Sequence, residues 1–581
     1  MNPLMRLHNW LRNIVPMDKR KKWPIFFLVL IGTSADNINL TGSITTFFSV
    51  YEHFHDSSTT VSWTLSAYGL TLGSFILLAG KVTDIVGAHN VYLFSLSLMS
   101  LFALITALIE NSIIALIVIR AFQGMAAAFL VPSAFAVAGS YFQGKQFMYA
   151  LIALMLTLTG TFGLGLVLGG AFSVTNIGYK GFYYFTFAQS AICAVLLYLF
   201  MIPVERTEEH KQMKIKYLDY YGSAMFVVGA LLIILGFTES GDSWKKPSAY
   251  VPIPVGVVIL IAALWFELYY IERFKSRVDA KLAQDLERDE TTGELKEGDE
   301  TQTTVPQERL DWRYQLQVLF PREALQIPNF LQFIIATPFF FMSLFTIMVL
   351  EIQYWLYVEE DSQVIAGVKM LTITVGFFFG CAVTREEIVY EVVGLKWVLL
   401  GSQLAAIPIQ VWISRHHYND SKSYWKYEFV PLLLHGWMSS TYFVLYINAV
   451  LRNTPVHLQG VVSGLLQTVG QVAMCLGNAV LASIVGDLIV ANTQELKHTY
   501  NERFDHVFYF VYGSMSINAQ QGQSKTFVYD VVVDEEEEQD EEEDEDEDND
   551  KEVMVDVIVQ PPMYSYACKS VSTVYESSRA S

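Results

Sequence analysis

Residues 112–139 read SIIALIVIRAFQGMAAAFLVPSAFAVAG, 28 residues with a single charge at Arg120. Such a run is long enough to cross a membrane as a helix. About 20 mainly apolar residues span roughly 30 Å of hydrocarbon while satisfying their own backbone hydrogen bonds. Working outward, further spans are expected at 24–50, 61–82, 90–109, 147–173, 182–202, 219–238, 250–271, 329–350, 364–383, 390–413, 427–451 and 460–491, thirteen in all. A fourteenth candidate, 507–519, is apolar for only 13 residues before Gln520 and Gln521, short of the usual minimum of about 17. The first run is too long for a cleavable leader, carries Asp36 and Asn39 in its middle and opens a series of similar runs.

Composition agrees with a membrane protein. The 581 residues are 52% hydrophobic and only 17% charged, with a mean hydropathy of +0.34, where soluble domains carry about 25% charge. The net charge of −20 is local: residues 534–550 hold fifteen Asp and Glu and no Lys or Arg, leaving −5 for the rest. The absence of a basic face argues against nucleic-acid binding. The scattered Cys193, Cys381, Cys475 and Cys568 indicate neither a disulfide framework nor a metal site.

Lys and Arg in short loops set the expected orientation. Six precede the first span (Arg6, Arg12, Lys19, Arg20, Lys21, Lys22), and loop 203–218 adds Arg206, Lys211, Lys214 and Lys216. Loops 51–60 and 351–363 have none, the latter carrying Glu351, Glu359, Glu360 and Asp361. The N-terminus is therefore expected in the cytoplasm. Loop 414–426 dissents with three cations but holds the sequon at Asn419, a glycosylation candidate usable only on the far side.

The expected organisation is a cytoplasmic segment 1–23, a six-helix bundle 24–203, two extra spans within 204–271, a charged cytoplasmic loop 272–326, a second helical bundle 327–519 with a short last span, and an acidic low-complexity tail 520–581. An odd number of spans would put that tail outside. Either an altered reading frame replaced the C-terminus, or the tail is a genuine appendage.

Four patterns carry chemistry. Residues 80–87, GKVTDIVG, join spans two and three; Gly80, Lys81, Asp84 and Gly87 fit a gating turn, or a plain glycine turn. In 119–128, IRAFQGMAAA, Arg120 is costly inside an apolar helix unless it faces a partner or a polar cavity, or snorkels to the interface. Residues 159–170, TGTFGLGLVLGG, make a bendable, close-packing helix face through Gly165, Gly169 and Gly170. Asp36, Asn39 and Thr41 share part of one face of span one, and Trp63, Ala67, Tyr68 and Leu70 open span two.

These patterns resemble the major facilitator superfamily, and the W-x-x-x-A-Y-x-L pattern with the buried Asp resembles its fungal 14-span drug:proton antiporter branch, including aminotriazole-resistance and boron-export transporters and their ammonium-transporting relatives. The loop signature G-K-x-x-D-R-x-G-R-R is kept except for its basic residues, and Leu166 stands where the antiporter signature G-P-x-x-G-G has proline. The resemblance implies an all-α polytopic fold of two six-helix bundles with two central extra spans, 13–14 helices in total. It implies proton coupling through Asp36 and Arg120, with alternating access around a midplane cavity for which Asn39, Trp63, Tyr68, Gln123 and His435 are candidates. In the second half Lys369 and His435 stand out as polar groups inside spans.

No nucleophile elbow, phosphate-cradling loop or metal-ligand spacing occurs, so an enzyme, a cofactor and ATP-driven transport are not expected. The expectation is proton-coupled efflux of drugs, toxic compounds or small solutes, in the plasma membrane or alternatively the vacuolar membrane. Two alternatives stay open: uptake of a small ion such as ammonium on the same fold, and a non-transporting receptor or regulator whose central loop and acidic tail bind protein partners.

Overall fold

The computed structural model describes residue 16 and residues 20–202, 219–241, 243–281, 312–316, 322–384, 394–416, 422–454, 456–491 and 493–521. Among the described residues are fourteen long helices and no strand. They are α1 (Lys22–Phe54), α2 (Ser58–Val86), α3 (Ala88–Leu108), α4 (Ile113–Tyr141), α5 (Gly144–Ser173), α6 (Tyr179–Phe200), α7 (Tyr220–Ser240), α8 (Pro247–Lys281), α9 (Phe330–Tyr357), α10 (Gln363–Val383), α11 (Leu395–Ile413), α12 (Tyr424–Val450), α13 (Val456–Val485) and α14 (Gln494–Gln521). Eleven of them are long and apolar enough to cross a membrane, by length and composition; α2, α11 and α14 stand outside that set. Side chains start several of these helices: Ser57, Ser112, Asp219 and Ser362 accept from the backbone N–H of Thr60, Ala115, Gly222 and Ile365, satisfying donors the first turn leaves free.

The packing repeats with an offset of eight helices. α1 packs on α5 and α6, α2 on α4, and α3 on α4 and α6; in the second half α9 packs on α13 and α14, α10 on α12, and α11 on α12 and α14. Two six-helix bundles, α1–α6 and α9–α14, therefore share one plan, as internal repeats of transporters do. They meet along the equivalent pairs α2–α13 and α5–α10, while α7 and α8 pair with each other and α7 lies against α2 and α13. Exposed Phe94, Leu101, Ile114, Val118, Val258 and Ile261 face outward, and exposed Trp23, Trp244, Trp397 and Trp425 lie near helix ends, as lipid-facing and interfacial residues do.

The last helix departs from the expectation of a short span. α14 has 28 residues and occupies in the second bundle the place of α6 in the first. Near its start Asn501 accepts from Tyr354 of α9; near its end Asn518 accepts from Tyr442 of α12 and donates to Gln403 of α11. The 17 residues between those contacts rise about 26 Å, close to the hydrocarbon thickness. Hydropathy undervalues the helix because its polar residues meet partners in the bundle instead of lipid.

Three further boundaries move. Helix α8 runs to Lys281, into the expected linker 272–326, where Trp312–Gln315 and Arg322–Gln326 are also helical. Helix α9 runs to Tyr357, so Glu351, read above as a loop residue, is fully buried inside the bundle. Residues 80–86 belong to α2, leaving Gly87 (φ 100°, ψ 132°) as the whole turn between α2 and α3, a backbone conformation that favours glycine.

Candidate functional site

In the first bundle α1, α2, α4 and α6 converge on Arg120. Its close approach to α2 depends on Gly124 one turn later, where a Cβ would meet the Tyr68 carbonyl oxygen at 2.2 Å; only a residue without a side chain permits this contact. Thr71 Oγ1 donates to the Ala121 carbonyl (2.7 Å) across the same contact.

Arg120 is fully buried and every nitrogen of its guanidinium is engaged. Nε donates to the Thr64 carbonyl (3.2 Å), Nη1 to Gln123 Oε1 (2.8 Å), and Nη2 to Ser43 Oγ (2.8 Å) and the Asn39 carbonyl (3.4 Å). Gln123 Nε2 in turn donates to Asn39 Oδ1 (3.1 Å). The guanidinium carbon lies 4.2 Å from the Tyr68 ring centre and 5.6 Å from that of Tyr183, a cation–π arrangement strengthened by the exclusion of water. The cost of a buried cation is thus offset by four acceptors and two rings.

Asp36 completes the group. Tyr68 Oη donates to Asp36 Oδ1 at 2.6 Å, so one tyrosine touches the carboxyl with its hydroxyl and the guanidinium with its ring. Tyr68 stands between the two charges, and no ion pair joins Asp36 to Arg120 directly. A proton gained or lost at Asp36 therefore changes both the hydrogen bond of Tyr68 and the field at Arg120.

The structure brings together Asp36, Asn39, Tyr68, Arg120 and Gln123 and leaves other candidates apart. Thr41 faces α5, its hydroxyl 2.1 Å from where a Cβ on Gly165 would stand. The face shared with Asp36 and Asn39 continues instead to Ser43, because seven residues return a helix to the same side and five do not. Trp63 packs on a cluster with Ala230, Ile234 and Cys475. His435 is buried in α12 of the second bundle, and among the described residues neither ring nitrogen has a hydrogen-bond partner. Gly80 has open space where a Cβ would stand, so it makes no close helix contact. Lys81 lies half-buried in the last turns of α2. The Asp84 side chain, Asn419 and the tail beyond 521 lie outside the described residues.

The α5 glycines serve two neighbours. A Cβ on Gly165 or Gly169 would collide with α1 at Ile38 and Gly42, and one on Gly170 with α10 at Gln363. Helix α5 is thereby wedged between the two bundles at backbone distance. Where the bundles also meet through α1, α2, α9 and α13, a small cavity of about 10 Å³ is lined by Leu40, Ser66, Phe345, Gln471, Cys475 and Asn478 among others. Asn478 Nδ2 donates to Ser66 Oγ (3.0 Å), while among the described residues Asn478 Oδ1 and Gln471 Oε1 have no hydrogen-bond partner. The cavity has room for about one water molecule, against about 300–1,000 Å³ for the pockets that hold drug-sized ligands, so the bundles are closed around this point. Sequence reading missed Ser43, Tyr183, Gln471 and Asn478; the i+7 position of Ser43 was the one available signal.

At one end of the first bundle Lys180 Nζ donates to Glu110 Oε1 (2.7 Å), and this contact and charge hold the exposed Glu110 carboxyl below its ordinary value. On the loop after α9 burial pushes the Glu359 carboxyl above its ordinary value, with the Lys369 ammonium opposing.

A family model described as Major Facilitator Superfamily matches residues 24–478. The chain is 22% identical over 259 residues to the aminotriazole resistance protein of Saccharomyces cerevisiae (43% of this chain, 46% of that one). It is 28% identical over 213 residues to the low affinity ammonium transporter of the same yeast (36% and 41%). The chain thus matches less than half the length of these curated relatives. The crystal structure of the peptide transporter POT in complex with sulfate superposes with a TM-score of 0.53 at 11% identity, covering 86% of this chain and 95% of that one; this likeness concerns the fold alone.

Proposed function

The chain belongs to the Major Facilitator Superfamily and is a multi-pass membrane transporter; on that premise we propose that it exports a small solute in exchange for protons by alternating access. The observation that carries the proposal is Tyr68, which binds Asp36 through its hydroxyl and Arg120 through its ring. Asp36 takes up a proton on one side of the membrane and releases it on the other, and Tyr68 passes the change to the Arg120 network that ties α1, α2 and α4 together. The glycine contacts of α5 with α1 and α10 let the bundles rock at backbone distance. Export is supported by the similarity to a protein named for aminotriazole resistance. The N-terminus faces the cytoplasm by the distribution of Lys and Arg, and the membrane is the plasma membrane.

A second reading, uptake of ammonium on the same machinery, is favoured by the similarity to the ammonium transporter and by Leu166 in the place of the antiporter proline. A growth screen of cells lacking their own exporters against toxic compounds, weak acids, boron and ammonium analogues separates the two. Protection with lowered intracellular content supports export; sensitisation with raised content supports uptake. For the compound so identified, Asp36→Asn abolishes pH-gradient-driven flux in proteoliposomes, and undiminished flux overturns the coupling role.

A further inference from the structure

A second buried polar cluster lies in the other bundle, away from Asp36 and Arg120. Glu351 comes from within α9, His416 from just past the end of α11, and Glu428 from the head of α12. One ligand atom from each lies within 4.8 Å of the others, and all three residues are buried. His416 Nδ1 is 3.9 Å from Glu351 Oε2. Among the described residues neither oxygen of the fully buried Glu351 accepts a hydrogen bond. Lys369, the nearby cation, already holds Glu359 (2.7 Å) and Asp361 (2.5 Å).

Other groups hold Glu428 and His416 in place. The Trp355 indole N–H donates to Glu428 Oε2 (2.7 Å) and the Ser423 hydroxyl lies 3.5 Å from Oε1. The His416 ring stacks on Tyr354 (3.8 Å, 19°) and meets Phe508 edge-on (5.8 Å). Outer partners of this kind, hydrogen bonds on Glu428 and packed rings on His416, are found around the ligands of metal sites, and they leave the Glu351 carboxylate open to a cation. Two buried carboxylates side by side stay ionised together only where a cation lies between them. A divalent ion balances both charges, takes an imidazole nitrogen as a ligand and occupies the acceptors of Glu351.

We propose that Glu351, His416 and Glu428 form a binding site for a divalent cation of the zinc class, fastening α9, α11 and α12 at one end of the second bundle. Imidazole with two carboxylates favours zinc over magnesium or calcium, which prefer all-oxygen shells. Small side-chain rotations bring the donors to the 2.0–2.2 Å that zinc requires.

The test uses the full chain purified in detergent, stripped with a chelator and titrated with Zn2+ or Mg2+. The expected result is one zinc retained per chain after desalting and a thermal midpoint raised by zinc, not by magnesium, and returned by chelator. Glu351→Gln lowers zinc affinity at least about ten-fold, and Trp355→Phe, which removes the indole N–H from Glu428, also weakens it within about 10–100-fold. Glu360→Gln, an exposed carboxylate at the same end, leaves affinity unchanged. If Glu351→Gln does not fold, the zinc and chelator response of the unaltered chain and the Trp355→Phe shift decide the matter. No retained zinc, equal retention in Glu351→Gln, or a midpoint that follows pH and ignores zinc overturns the proposal, the last assigning the cluster to protons.

Discussion

Replacing Arg120 with lysine keeps the charge and removes the geometry. The guanidinium reaches four acceptors from three nitrogens: the Thr64 and Asn39 carbonyls, Ser43 and Gln123. These belong to three helices, and a single ammonium at the end of a flexible stem cannot serve them all. If lysine keeps two and loses two, and a hydrogen bond to a charged group contributes about 1.5 kcal/mol at the lower end, the loss is about 3 kcal/mol. At 1.4 kcal/mol per factor of ten this shifts an equilibrium about 140-fold. A network made in one state of the transporter and broken in the other passes its loss to the balance between states. Gradient-driven flux in proteoliposomes should therefore fall by about ten- to 140-fold in Arg120→Lys, with the protein still monodisperse on size exclusion. An Arg120→Lys variant that keeps more than half of the flux would refute the reasoning, because charge alone would then suffice.

Asp36→Asn keeps an acceptor for the Tyr68 hydroxyl, so the protein should fold with near-unaltered yield while substrate exchange in the absence of a gradient persists; loss of folding would show that the charge is structural. Gly165→Val places side-chain atoms against Thr41 and the Ile38 backbone and should destabilise by about 1–3 kcal/mol as overpacking does, read as a lowered thermal midpoint. Gly80→Ala, by contrast, meets open space inside α2 and should raise stability by about 0.5–1 kcal/mol; a fall would restore a packing role for Gly80. For Glu110, held below its ordinary value by Lys180, the ion pair contributes above the unfolded carboxyl value and is lost as pH falls through the lowered one. The difference in midpoint between the unaltered chain and Glu110→Gln should thus be small at neutral pH, as for exposed pairs, and vanish in acid; a difference that grows in acid would contradict this sign.

Much of the architecture was legible in the order of residues, because a bilayer forces each crossing segment to be long and apolar. The segments around Arg120 and the 80–87 pattern pointed to the family before any helix was placed, and Asp36, Asn39, Tyr68, Arg120 and Gln123 stood out because polar groups in apolar runs need partners. Hydropathy failed where a helix hides polar groups inside protein. Helix α14 carries Asn501 and Asn518 against its neighbours, and α9 carries Glu351 past the point where its apolar run ends.

What the sequence determined by itself was therefore the solvent, the class of fold and the polar residues that must be satisfied. Only the tertiary structure decided which satisfied which. That Tyr68 stands between Asp36 and Arg120, that Ser43 and not Thr41 joins them, and that Glu351, His416 and Glu428 meet from three segments, depends on how separate helices approach one another. Those approaches are set by contacts such as Gly124 on Tyr68 and Gly165 on Ile38. Periodicity shows which side of a helix a residue occupies; packing between distant segments fixes its partner.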